Sequence, residues 1–187
     1  MNVERDAKGF TERGWIHFGF ENYYALLDCG FRLRPTAGTA SGVHPVPLGF
    51  GRVYVHLDGG LDAAAWLRGL DAGRSFVTTG PMLFVTLDGH DPGHRFEQTD
   101  VAAREYRLTG SAEGPVPLER IEVVVNGEVA WTLRPANRPT DRESYVSPVE
   151  VSLPIDATSW VAVRCFEDRP DGRVRGEARA AVPVRAG

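Results

Sequence analysis

Through the second half of the chain, apolar and polar positions alternate with a period of two, the mark of a strand with one buried face. Val149, Val151 and Leu153 face one way, with Glu150 and Ser152 facing the other. Ile121, Val123 and Val125 repeat the pattern around Glu122 and Val124, and Val161, Val163 and Cys165 repeat it again. Residues 82–87 form a similar run, Tyr106 and Leu108 mark another, and residues 178–184 give a last, fainter one. Turn residues separate these runs. Asn126-Gly127 joins the run at 121–125 to one at 129–133. Asn-Gly in that setting predicts a type I′ hairpin, whose two central residues both need positive φ. Residues 88–93 (DGHDPG), 135–143 (PANRPTDRE) and 168–173 are further turns or polar loops. About seven strands in about 105 residues predict an antiparallel β-sandwich of immunoglobulin-like size.

The first half follows another grammar. Residues 52–81 read as strand, helix, strand. Val53, Val55 and Leu57 alternate with Tyr54 and His56. Asp62 is placed to cap a helix, and Ala63, Trp66, Leu67 and Leu70 share one of its faces. Gly73 fits the position just past the helix end, where positive φ favours glycine. Residues 74–79 are again extended, and Gly80-Pro81 ends them. A helix between two strands of one sheet predicts a parallel, right-handed crossover.

Upstream, a helical pattern starts at Glu21, carries Tyr23, Tyr24, Leu26 and Leu27, and closes at Gly30. Residues 15–20 are aromatic-rich without a clear period, and residues 1–14 are polar and expected to be loose. Residues 31–35 read as extended, with Phe31 and Leu33 on one side. Residues 36–51 then form a loop of about 16 residues, a length uncommon inside compact domains and often functional. It follows the carboxyl end of an expected strand, where α/β folds place their sites. The expectation is an α+β, mainly β chain: a partial β/α segment over residues 1–81 and a sandwich over residues 82–187.

Composition narrows the picture. Of 187 residues, 42% are hydrophobic and 25% charged, which is ordinary for a globular protein. The net charge of -4 gives no basic footprint, so no nucleic-acid partner is expected. Cys29 and Cys165 lie far apart and are expected to be buried separately, not bridged. The first ten residues hold no apolar core and no run approaches a membrane span of about 20 residues, so a cytoplasmic location is expected.

Candidate chemistry is sparse. A catalytic zinc takes three protein ligands and an open position. The first half offers His17, His44 and His56, with no close spacing between them. His44 is the foremost candidate because it sits in the long loop; His17 stands beside it, and His56 lies on a strand, pointing with Tyr54. His90-Asp91-Pro92-Gly93-His94 collects two histidines and a carboxylate, but turn chemistry accounts for its Asp, Pro and Gly. Ser41 and His44 are too near in sequence to suggest a nucleophile and its base. There is no G-x-S-x-G elbow and no phosphate-binding loop. Trp66, Trp131 and Trp160 read as core or half-buried residues, and Trp131, sharing the parity of Val129 and Leu133, as core.

Several phrases carry a resemblance. YYALLDCGFRLRPTAGTASG, GRVYVHLDG, AWLRGLDAGRSFVTTGPMLFVTLDG, PLERIEVVVNGEV and SWVAVRC together cover most of residues 21–166. They resemble the carboxyl-terminal part of carbaryl-hydrolase-like metallohydrolases of the PHP (polymerase and histidinol phosphatase) superfamily. The resemblance implies a distorted β/α barrel with a metal cluster, followed by a β-sandwich. It also implies metal-assisted hydrolysis of an amide, ester, carbamate or phosphoester bond, with a metal-bound water as nucleophile.

The departures are as specific as the match. Where the family's loop reads G-[ST]-D, with the Asp a metal ligand, this chain has Gly38-Thr39-Ala40. The family's opening His-x-His pair is absent, and Arg179 stands where a later family histidine belongs. Three readings follow: a divergent or truncated relative without its own active site; a hydrolase portion whose metal site another chain completes; or a non-catalytic binding module. No cofactor is expected from this chain alone, and a divalent zinc, manganese or iron only if a partner completes the site. A homo-oligomer or a companion barrel chain is the expected partner.

Overall fold

The computed structural model describes residues 5–7, 9–40, 42, 47–98, 103–168 and 177–186, the last of these by backbone alone. In order the elements are β1 (Arg5–Asp6), β2 (Gly9–Phe10), α1 (Glu12–Asp28), β3 (Arg52–Val55), α2 (Ala63–Asp71), β4 (Ser75–Thr78), β5 (Met82–Leu87) and β6 (Phe96–Gln98). There follow β7 (Arg104–Gly114), β8 (Leu118–Val125), β9 (Glu128–Leu133), β10 (Arg138–Pro139), β11 (Tyr145–Ile155), β12 (Ser159–Glu167) and β13 (Glu177–Ala186). The fold is α+β and mainly β. None of its described helices is long and apolar enough to cross a membrane.

Alternation translates directly into two larger sheets. One has the order β10-β11-β7-β5, and the other β3-β4-β13-β12-β8-β9, with β6 beside β13. Their buried side chains form one cluster. Leu83, Val85, Leu87, Tyr106, Leu108, Val149, Val151 and Leu153 enter it from the first sheet. Phe76, Ile121, Val123, Val161, Val163 and Cys165 enter it from the second. At Asn126-Gly127 the φ angles are 48° and 83°, so the expected type I′ turn joins β8 to β9. Trp131 is half-buried against this cluster, on the side its parity predicts.

The first half departs from expectation at three places. The pairing of β3 with β4 is antiparallel, not a parallel crossover. A crossover must carry the chain back along the sheet, whereas α2, about 13 Å long, stays beyond the end of β3. The His56 amide donates to the Arg74 carbonyl at 2.8 Å, closing the hairpin behind the helix. The seat of α2 is Gly69, its one buried residue. A Cβ there would meet Val55 Cγ1 at 2.5 Å. Trp66 and Leu70 are half-buried, while Ala63 and Leu67 are exposed, so the expected face is rotated. Asp62 does cap α2, accepting from the Ala65 amide at 2.7 Å.

The second departure is the start of α1. It begins at Glu12, after the short β1–β2 hairpin, with the Thr11 hydroxyl accepting from the Gly14 amide at 3.0 Å. The aromatic residues 15–20 are therefore helical. Ile16, Phe20, Tyr23, Tyr24 and Leu27 form a stripe that packs on Val124, Trp160 and Ala162, the outer face of β8 and β12. Third, residues 31–40 carry no sheet pairing, so the long loop does not follow a strand. Its base is tied where the Gly51 amide donates to Thr39 Oγ1 at 3.1 Å.

Strand pairing also runs across the expected boundary near position 81. Ala178 and Arg179 of β13 pair with Thr78 and Val77 of β4.

Candidate functional site

Charged side chains gather where the loops after β3, α2 and β5 meet. The carboxylate of Asp91 receives His56 Nδ1 at 2.7 Å and Arg74 Nε at 3.0 Å. The other edge of the Arg74 guanidinium grips Asp58 in a bidentate pair at 2.7 and 2.8 Å. Such a fork-to-carboxylate pair is directional as well as strong. The hydrogen bond and charge of Arg74 hold the Asp58 carboxyl below its usual range. The paired carboxylates in turn push the Arg74 pKa upward against a modest cost of burial. Beneath the cluster, backbones meet with no side chain between them. A Cβ on Gly93 would lie 2.0 Å from the Ala72 carbonyl oxygen, and Gly73 and Gly93 both have positive φ. His90 and His94 stack at 3.8 Å beside Phe96. Burial, and then repulsion from His90, push the His94 pKa down.

A groove of about 670 Å³ opens beside this junction, between the end of α1, the segment 28–35 and the turns carrying Asn126 and Ser159. Tyr23, Leu27, Phe31 and Trp160 form apolar walls, and Arg32, Arg34 and Arg95 stand on its rim. The Trp160 ring is fixed by its Nε1, which donates to Asp28 Oδ1 at 2.7 Å. Tyr23 is fixed by its hydroxyl, which donates to the Leu33 carbonyl at 2.9 Å. Cys29, expected to be buried, is exposed at the C-cap of α1 and lines this groove; Cys165 is fully buried, and both are free thiols.

The expected ligand positions do not converge. Ala40 is exposed, with φ of 48°, and has no donor atom for a cation. His17 lies on α1 with its ring against Phe20 at 6.4 Å. His56 is 57% exposed and held by Asp91. His44 and Ser41 lie outside the described residues. Among the described residues no three His, Cys, Asp or Glu side chains lie together as a metal would require. At position 40, where the resemblance implies a coordinating carboxylate, the alanine side chain does not fit a metal.

Two sites were missed by reading the sequence. Arg74 and Asp58 each sit next to a strand or helix end, where a charged residue is unremarkable, and only the fold brings Asp91 to them. The groove is made by exposed residues of a segment expected to be a strand. Comparison of the chain with protein-family models, with curated proteins and with solved structures finds no match.

Proposed function

We propose that the chain is a divergent relative of the PHP-type metal-dependent hydrolases that does not assemble a metal centre of its own. Its β-rich part is then an immunoglobulin-like sandwich, carried behind a remnant of the barrel. The observation that carries this reading is Ala40. A methyl group stands on the exposed loop where the family's coordinating carboxylate belongs, and a methyl cannot bind a cation. The antiparallel return of β3 and β4 is a second departure from a β/α barrel, which needs parallel strands. The test is elemental analysis of protein from cells supplied with zinc, manganese and iron. The expected content is far below one ion per chain, and it stays there in Ala40→Asp. A stoichiometric metal would overturn the reading.

A second reading is that another chain, a further copy or a companion barrel, completes a hydrolase site. Phe31 and Leu33 favour it: they are 58% and 40% exposed on a stretch with no sheet pairing among the described residues. Apolar side chains left in water on such a stretch are the kind of surface a partner covers. Leu61 and Leu67 are also exposed apolar side chains, at 87% and 60%. On this account the protein self-associates, and light scattering at micromolar concentration gives a mass above that of one chain. A single-chain mass without a companion would remove the self-association half of the reading.

A further inference from the structure

From the groove at the end of α1 we infer a binding site for a small amphipathic anion, a compact aromatic or branched apolar body bearing a carboxylate or phosphate. This goes beyond the proposed ancestry and stands or falls independently of it.

Size comes first. A volume of about 670 Å³ lies inside the range of cavities that take small organic ligands. The walls come second. Tyr23 and Trp160 offer broad ring faces, and their polar atoms are already committed to Leu33 and Asp28. Rings held in this way present a preformed apolar surface that need not be ordered on binding.

Charge decides the class. Three guanidinium groups, Arg32, Arg34 and Arg95, line the groove against the single carboxylate of Asp28. That carboxylate already accepts from the Trp160 indole. Arg34 is largely spent: its Nε donates to the Asp71 carbonyl, its Nη1 to the Arg32 carbonyl at 3.2 Å, and its Nη2 lies 3.8 Å from the Asp71 carboxylate, which leaves Arg32 and Arg95 as the available donors. Arg95 lies 3.6 Å from Glu97, at the loose end of an ion pair. The Arg32 side chain has no hydrogen bond or ion pair among the described residues. Unspent guanidinium donors beside an apolar wall select an anion with a hydrophobic body over a neutral ligand or a bare anion.

The thiol of Cys29 supplies a built-in reporter. It lines the groove, whereas Cys165 is fully buried. Iodoacetamide is neutral, so the arginines do not steer it; because the thiolate is what reacts, inorganic phosphate controls for a purely electrostatic effect and the alcohol for a purely apolar one, and Cys29→Ser provides the blank. The probes are 4-phenylbutyrate, 4-phenylbutanol and inorganic phosphate, with tryptophan fluorescence, referenced to a Trp160→Phe variant, as a second readout. The expected result is that 4-phenylbutyrate saturably slows alkylation and shifts the fluorescence, while the alcohol and inorganic phosphate do neither at equal concentration. Arg32→Gln with Arg95→Gln weakens 4-phenylbutyrate binding about tenfold or more, the loss expected when charge-assisted contacts are removed. Both arginines are exposed, so the variant keeps the wild-type urea midpoint. Equal protection by the alcohol, equal protection by inorganic phosphate, no saturation up to about 10 mM (a Kd weaker than most specific sites), or undiminished binding in the double variant would each overturn the inference.

Discussion

Strands β8 and β12 are covered on both faces, and the two coverings differ in kind. The inner face presents Ile121, Val123, Val161, Val163 and Cys165 to the opposite sheet, all buried and all apolar. The outer face presents Val124, Trp160 and Ala162 to α1, but also Glu122 and Arg164, which stand opposite each other in the pairing of the two strands. Arg164 Nε donates to one Glu122 oxygen at 2.5 Å, and Arg120 Nε to the other at 2.7 Å. The Arg164 guanidinium lies over the Phe20 ring at 4.9 Å, and that of Arg120 over Phe166 at 3.8 Å. One face is held by non-directional burial. The other is held by burial plus a charge network that tolerates no missing member.

The comparison teaches where cost concentrates. Burial by itself would raise the Glu122 pKa, yet the hydrogen bonds and charges of Arg120 and Arg164 outweigh it and hold the carboxyl below its usual range. Arg164 also loses hydration, but Tyr24 and Glu122 keep its pKa raised. Removing Glu122 strands the charge of Arg164, whose carboxylate partner it is, whereas removing both can be nearly neutral.

The largest expected effect follows from that. Glu122→Leu destabilises by about 3–5 kcal/mol in urea unfolding, and adding Arg164→Met recovers most of the loss. A double variant no better than the single one would show that the outer face depends on packing alone. On the inner face, Leu153→Ala costs about 2–5 kcal/mol, and no second apolar substitution nearby restores it. The faces also part in their response to acid. Because the folded Glu122 pKa is depressed, its contribution is present above the unfolded value and is lost as pH falls through the folded one. The urea midpoint of the wild type therefore drops more steeply below about pH 4.5 than that of Glu122→Leu/Arg164→Met. Parallel curves would remove the charge network from the account. Trp160→Phe, which loses the indole hydrogen bond to Asp28, costs about 1–2 kcal/mol. Smallest is Arg107→Gln, since its pair with Glu150 is 69% and 66% exposed and worth about 0–1 kcal/mol by double-mutant cycle.

The same contrast explains what could be read from the chain. Inner-face residues alternate strictly, so the seven expected strands stand close to where they were placed, and Asn126-Gly127 pinned one hairpin by its own conformation. The outer face was illegible in the same terms. Glu122 and Arg164 look like solvent positions until strand pairing sets them opposite each other. The helix that covers them hid its stripe, because Trp15 and Leu26 are apolar and exposed, at 60% and 42%, blurring the period. The antiparallel return around α2 had no local signal either, since a helix between strands serves a crossover or a long hairpin equally well in sequence. The groove was hidden because its makers, Arg32, Arg34 and Arg95, acquire meaning only from where residues 28–35 lie against Trp160.

The place of β13 has a consequence for synthesis. This strand lies between β4 and β12, and Thr78 pairs with Ala178, one hundred positions later. During translation β3 and β4 therefore emerge long before the strand that connects them to the rest of their sheet. They wait as a small hairpin with an exposed edge, while β8, β9 and β12 can already assemble. Such a late, long-range closure is slow and leaves nascent edges open to wrong partners. A chain ending before residue 177 would hold that sheet in three pieces, β3 with β4, β6 alone, and β12 with β8 and β9.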